Sequence, residues 1–145
     1  MDKFIFKTKN VSIELDIKFK TMVICGDSGS GKTFISNIIY SICKEPYATE
    51  YESNVDIKDI VVVRNADDAR FLDLSKIHKK VVILDRMNMY VTDKLIHDIN
   101  NGDNIVFAMY RGRTEGGLTV RMSSYIDLEY TKKGNKISIK SRRMI

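Results

Sequence analysis

Gly26-Asp27-Ser28-Gly29-Ser30-Gly31-Lys32-Thr33 satisfies the pattern G-x-x-x-x-G-K-[ST] at every defining position. Its glycines let the backbone curl until successive N–H groups point into one hollow sized for a phosphate. A helix beginning at that point adds the positive end of its dipole to the same hollow. Lys32 is then placed to reach the outer phosphates of a nucleotide, and the Thr33 hydroxyl to sit on a magnesium ion. The candidate binding set is Gly26, Asp27, Ser28, Gly29, Ser30, Gly31, Lys32, Thr33 and Phe34.

The flanks decide between this reading and a surface glycine loop that fits by chance. Thr21-Met22-Val23-Ile24-Cys25 is short, apolar and rich in β-branched residues, the composition of a buried strand. Beyond the octet, Ile35, Ile38, Ile39 and Ile42 fall at i, i+3, i+4 and i+7, one face of a helix. Strand, glycine-rich turn and amphipathic helix occur in the order that phosphate binding requires.

With these residues in place the chain resembles a P-loop NTPase. Val81-Val82-Ile83-Leu84-Asp85 is similar to the Walker B strand of that family, whose aspartate holds Mg²⁺ through a water. The resemblance implies that Thr33 and Asp85 are the metal residues and that Lys32 and Asp85 are the catalytic ones. The plainer alternative for the segment is a buried strand ending in a capping aspartate. Many hydrolysing relatives, the ABC and AAA-type ATPases among them, carry Glu directly after that Asp, whereas this chain has Arg86. A guanidinium stays protonated and cannot serve as a base near neutral pH. The resemblance therefore implies Mg-ATP binding with weak or partner-dependent hydrolysis. Glu50, Glu52, Asp67 and Asp68 are the alternative acids, and the sequence singles out none of them.

One strand–helix unit separates the two motifs, which favours a further strand between them in the sheet. That order typifies the ATPase branch shared by ABC, AAA and RecA-like proteins. The ABC signature Leu-Ser-Gly-Gly-Gln does not occur, and Thr114-Glu115-Gly116-Gly117 is too late and too different to replace it. ATP is favoured over GTP by elimination, with GTP left open: the nearest match to a guanine-reading motif, Asn135-Lys136-Ile137-Ser138, lacks the acid and falls in a hairpin. Asp85-Arg86 also resembles the Asp-Arg pair of deoxynucleoside kinases, and Arg111-Gly112-Arg113 a lid, so phosphoryl transfer to a small acceptor is the second reading. Tyr110 or Arg111 is expected near the outermost phosphate, with Arg113 and Arg121 as weaker candidates.

Composition bounds the rest. The 145 residues suit one domain spanning 1–145, and 43% hydrophobic with 30% charged residues describes a soluble globular chain. No apolar run approaches the roughly 20 residues of a membrane span, and the N-terminus lacks a secretory apolar core, so a cytoplasmic protein is expected. Cys25 and Cys43 lack metal spacing and are expected in the core, and His78 and His97 have no partner pattern. Lys132, Lys133, Lys136, Lys140, Arg142 and Arg143 crowd the C-terminus of a chain with net charge +5. A basic hairpin of this kind suits nucleic-acid phosphates, a protein partner or a homo-oligomer contact, or is simply a solvated face.

The remaining pattern predicts a hairpin of Phe4–Phe6 and Val11–Phe19, turned at residues 8–10, and a surface excursion over residues 47–55 after Pro46. A strand is expected over Ile57–Val63, then a helix capped by Asn65 and running to Ile77. Strands follow at Lys79–Asp85 and Ile105–Tyr110, around a helix capped by Thr92 and closed by a left-handed Gly102. A C-terminal hairpin pairs Tyr125–Thr131 with Lys136–Ser141. The expected class is α/β, a three-layer P-loop domain whose mainly parallel sheet is extended by antiparallel N-terminal and C-terminal strands.

Overall fold

Alternation of apolar and polar residues near both termini produces two hairpins, and shorter all-apolar runs between them produce buried parallel strands. The computed structural model describes residues 1–24, 31–110 and 123–143. Its elements are β1 (Lys3–Thr8), β2 (Val11–Asp16), β3 (Thr21–Ile24), α1 (Lys32–Lys44), β4 (Tyr51–Ser53), β5 (Ile60–Val63), α2 (Ala66–Ala69), β6 (Val81–Leu84), α3 (Asp93–Asn101), β7 (Ile105–Met109), β8 (Ser123–Lys133) and β9 (Lys136–Arg143). Among the described residues no helix is long and apolar enough to cross a membrane.

The nine strands among the described residues join one mixed sheet in the order β4-β1-β2-β9-β8-β3-β7-β6-β5. The class is therefore mixed α/β. The segment from β8 through β5 is parallel throughout, with β7 lying between β3 and β6 as the spacing of the two motifs predicts. The expected antiparallel extension needs correction. Among the described residues antiparallel pairing is confined to β1–β2, β1–β4 and β8–β9, while the hairpins join the rest through parallel pairs, β2 with β9 and β8 with β3.

The sheet curls. Phe4 on β1 and Phe107 on β7 are five strands apart, which in a flat sheet is about 24 Å at a spacing near 4.8 Å. Their ring centroids nevertheless lie 5.9 Å apart. The concave face closes on α1, whose Ile35, Ile39 and Ile42 share a core with Phe4, Phe6, Ile13, Leu15, Met22, Ile24, Ile83 and Ile139. Alternate residues of the parallel strands, Val23, Val63, Val82, Leu84, Val106 and Ala108, form a second core with Leu74, Met87 and Ile99 of α3. The corresponding face of β1, β2, β9 and β8 is mostly polar, with Ile5 and the exposed Tyr125 as exceptions.

Several local expectations change. β2 ends at Asp16, and Phe19 is an exposed residue in the bend leading to β3. Residues 51–53 are no mere excursion: β4 pairs with β1, Tyr51 stacks on Phe6, and the Asn54 amide continues the ladder by bonding Ile5 N and Lys3 O. Asp56 accepts from Lys58 N and makes a 3₁₀ turn of Ile57–Asp59, so β5 starts only at Ile60. Asn65 does cap α2, but the helix stops at Ala69, because Asp73 accepts from Ser75 N and starts a separate turn over Leu74–Lys76.

Thr92 caps α3 through Leu95 N. Gly102 is extended rather than left-handed. Lys20 supplies what a left-handed cap would have supplied, its ammonium donating to the carbonyls of Asn100 and Gly102. A side chain at 102 would still meet the Asp98 carbonyl at 2.9 Å, so glycine is required there by contact. Cys43 is half-buried at the rim of the core, which pushes its thiol pKa up, and Cys25 lies outside the described residues.

Candidate functional site

Three strand ends and one helix start converge where β3 gives way to α1. Gly26, Asp27, Ser28, Gly29 and Ser30 lie outside the described residues, as do Arg111, Arg113 and Arg121. Gly31 is the N-cap of α1 with φ 103°, a conformation in the left-handed region that only glycine adopts freely. Its missing side chain also leaves room for two neighbours. A Cβ there would sit 3.1 Å from Ile139 Cδ1 and 3.5 Å from Tyr130 Cδ2, so the β8–β9 hairpin runs directly against the start of the helix.

Lys32 opens α1 and is 4% exposed; Thr33 and Phe34 are half-buried, with Phe34 packed on the concave core. The first turn of α1 carries no acidic residue, and among the described residues no side chain caps it. The N-terminus of this 13-residue helix carries the positive end of its dipole, which favours negative charge near Gly31 and Lys32.

Asp85 follows β6 and is 2% exposed. Its backbone N–H donates to the carbonyl of Val63, which fixes it beside the end of β5. Its carboxylate is held from two directions: Arg86 N donates to Oδ1 at 2.9 Å, and the Ser36 hydroxyl lies 2.7 Å from Oδ2. That hydroxyl also lies 3.0 Å from the Thr33 carbonyl, but with one proton it donates to a single acceptor, and the carboxylate is the nearer and the charged one. Tyr90 closes the arrangement by donating to the Asp85 carbonyl at 2.6 Å. Burial, reinforced by the charges of Asp85 and neighbouring groups, raises the Tyr90 pKa far above its usual range, so the phenol stays protonated.

Arg86 adopts φ 53°, ψ 40°, left-handed for a residue with a side chain. Its Nε is buried and makes no hydrogen bond among the described residues. Such strain, about 1–2 kcal/mol for a non-glycine residue, is characteristic of places where backbone geometry serves a site. Tyr110 follows β7, the strand between β3 and β6, and is buried there.

The other acids go elsewhere. Asp68 is engaged by Arg64, whose Nε and backbone N–H each lie 2.9 Å from its Oδ2, and this pairing lowers its pKa. Asp67 is exposed beside Arg70. Glu52 lies on β4, the strand at the opposite edge of the sheet from β5, and Glu50 just precedes it. His78 contacts Asp103 and His97 contacts Asn101, both at the surface.

Sequence reasoning missed two residues. Ser36 belongs to no motif in the sequence, and only its reach across to Asp85, 49 residues away, gives it a role. Tyr130 sits in a strand pattern, yet the residue is 41% exposed beside Gly31. Comparison with protein-family models and with curated proteins finds no match for the chain.

Proposed function

We propose that the chain binds a Mg²⁺–nucleoside triphosphate, ATP in preference to GTP, as a member of the P-loop class, and works as a switch or a weak, partner-dependent ATPase. The observation that carries this reading is the buried Asp85 carboxylate tied through Ser36 to the first turn of the helix that Lys32 opens. The lysine opens α1 and the acid follows β6, and one hydroxyl links the two elements. The strand order, with β7 between β3 and β6, is the one the ATPase branch would have.

In this reading the amides at the start of α1 and Lys32 bind the phosphates. The donor set formed by Asp85, Thr33 and Ser36 is all oxygen, which fits Mg²⁺. The ion would neutralise charge on the phosphates; Asp85, held by Ser36 and Arg86 N, would orient its coordination. Tyr130 offers an exposed ring to the base on the β8 side of the helix start. Arg86 favours a second reading, phosphoryl transfer to an anionic acceptor, because its Nε is buried without a hydrogen-bond partner among the described residues.

The test is incubation of the protein with Mg²⁺ and ATP or GTP, followed by chromatography of bound and released nucleotide. Tight ATP binding that is lost in Lys32→Ala, with circular dichroism unchanged, is the expected result. Retained tight binding in that variant rejects the assignment. Diphosphate appearing without an acceptor identifies an ATPase; binding without turnover leaves the switch and the kinase, which a screen of nucleoside acceptors separates.

A further inference from the structure

The polar face of the two hairpins is not evenly charged. Toward β3 its charges are matched: Lys3 with Asp16, Lys7 with Glu14, and Arg142 with Asp127 lie within 3.9 Å of each other. Toward the hairpin tips the matching stops. Lys133 and Lys136 are directly opposite on β8 and β9, a like-charge pair that destabilises a sheet. Lys9, from the turn between β1 and β2, faces the same cleft of about 480 Å³. Among the described residues none of these three lysines has an ion-pair partner, and all three are exposed. A row of hydroxyls, Ser12, Ser138 and Thr131, crosses the floor between them in register.

We infer that this cleft binds the sugar–phosphate backbone of a nucleic acid. Lysines supply charge neutralisation, hydroxyls donate to phosphate oxygens, and none of the described residues lining the cleft is aromatic and able to stack on bases. An acidic protein partner is the poorer fit, since interfaces of that kind centre on large exposed anchors, whereas the aliphatic residues lining this cleft, Val11 and Ile137, are packed into the core beneath it. The C-terminal lysines alone suggest such a role; the structure adds Lys9 from more than 100 residues away and turns a charge run into a concave site in which the lysines outnumber the one lining carboxylate, Glu129. The inference does not depend on nucleotide binding: Glu129, Thr131 and Lys133 face the cleft, whereas Tyr130 turns to the other side of β8, against Gly31.

Fluorescence anisotropy with labelled duplex DNA of about 20 base pairs and a single-stranded RNA of similar length, between about 50 and 200 mM salt, tests it. Binding that weakens with salt is expected, and changing Lys9, Lys133 and Lys136 together to Gln should weaken it about tenfold or more and flatten the log–log salt slope by about 2.7 for the duplex and about 2.1 for the single strand. Changing Lys18, Lys76 and Lys79 to Gln removes the same charge elsewhere and should change affinity less than about twofold. No salt-dependent binding to either probe overturns the inference. So does equal loss in both triple variants, or equal affinity for labelled polyglutamate of matched charge.

Discussion

The Ser36 hydroxyl lies 2.7 Å from Asp85 Oδ2, and both side chains are buried. The contact joins α1 to the end of β6 across 49 residues of sequence and sets the rotamer of the carboxylate. Ser36→Ala leaves a buried charge short of one donor, which costs about 2 kcal/mol and should lower Tm by roughly 6 °C. Asp85→Asn alone should cost less, and in the double variant the two changes should couple by about 1–2 kcal/mol. Calorimetry and urea melts of the four proteins measure this. Strict additivity would mean that the contact contributes nothing. In the proposed site Ser36→Ala should also weaken ATP binding in Mg²⁺ more than in EDTA.

Arg86 has a left-handed backbone, so its side chain and its conformation can be separated. Arg86→Gly and Arg86→Ala both remove the guanidinium, but only glycine relaxes the strain. The glycine variant should be more stable than the alanine variant by about 1 kcal/mol in urea melts. Equal stabilities would show that the backbone leaves this conformation once the side chain is removed. If Arg86 contacts an anionic acceptor, both variants lose acceptor-dependent turnover to the same degree while keeping ATP binding.

Features encoded within a few residues were legible in the sequence. Asn65 and Thr92 cap their helices, the isoleucines of α1 face the core, and both hairpins turn where glycine or polar residues mark them. What was not legible depends on distant segments meeting. The parallel junction of β2 with β9 brings together residues some 126 positions apart, Val11 with Ile137, and nothing in either strand names the other. The same junction creates the curl, the Phe4–Phe107 contact and the lysine cleft. Gly102 was misread for a related reason: a cap was assumed to be local, and Lys20 supplies it from another strand connection. At the site, Lys32 and Asp85 could be chosen by motif, but Ser36 and Tyr130 become visible only through their neighbours.

Tyr130 tests how a base would be held. Base–aromatic stacking is worth about 1–3 kcal/mol, so Tyr130→Ala should weaken ATP binding about fivefold to a hundredfold. Tyr130→Phe keeps the ring and should bind ATP nearly as the parent does. Inorganic triphosphate, which has no base, should bind all three proteins alike in calorimetric titrations. A loss of triphosphate binding in Tyr130→Ala would instead assign the ring to supporting Gly31 and the start of α1.

The Arg64–Asp68 pair gives a pH dependence of known sign. Asp68 accepts from the Arg64 guanidinium and backbone N–H, and Arg64 also stacks over Tyr40 of α1, so the pair fastens the end of β5 to the helix. The pairing lowers the Asp68 pKa in the folded state. Its contribution is therefore present above the unfolded-chain value of about 3.9 and is lost as pH falls through the lower folded value. The pair is partly exposed, so Asp68→Asn should cost no more than about 1 kcal/mol at neutral pH. Urea melts from neutral pH downward should show that gap constant to about pH 5 and closing below about pH 4, where the parent carboxylate also becomes neutral. A gap that persists or widens in acid would place the value of Asp68 in its backbone hydrogen bond, which the asparagine oxygen can retain, and not in its charge.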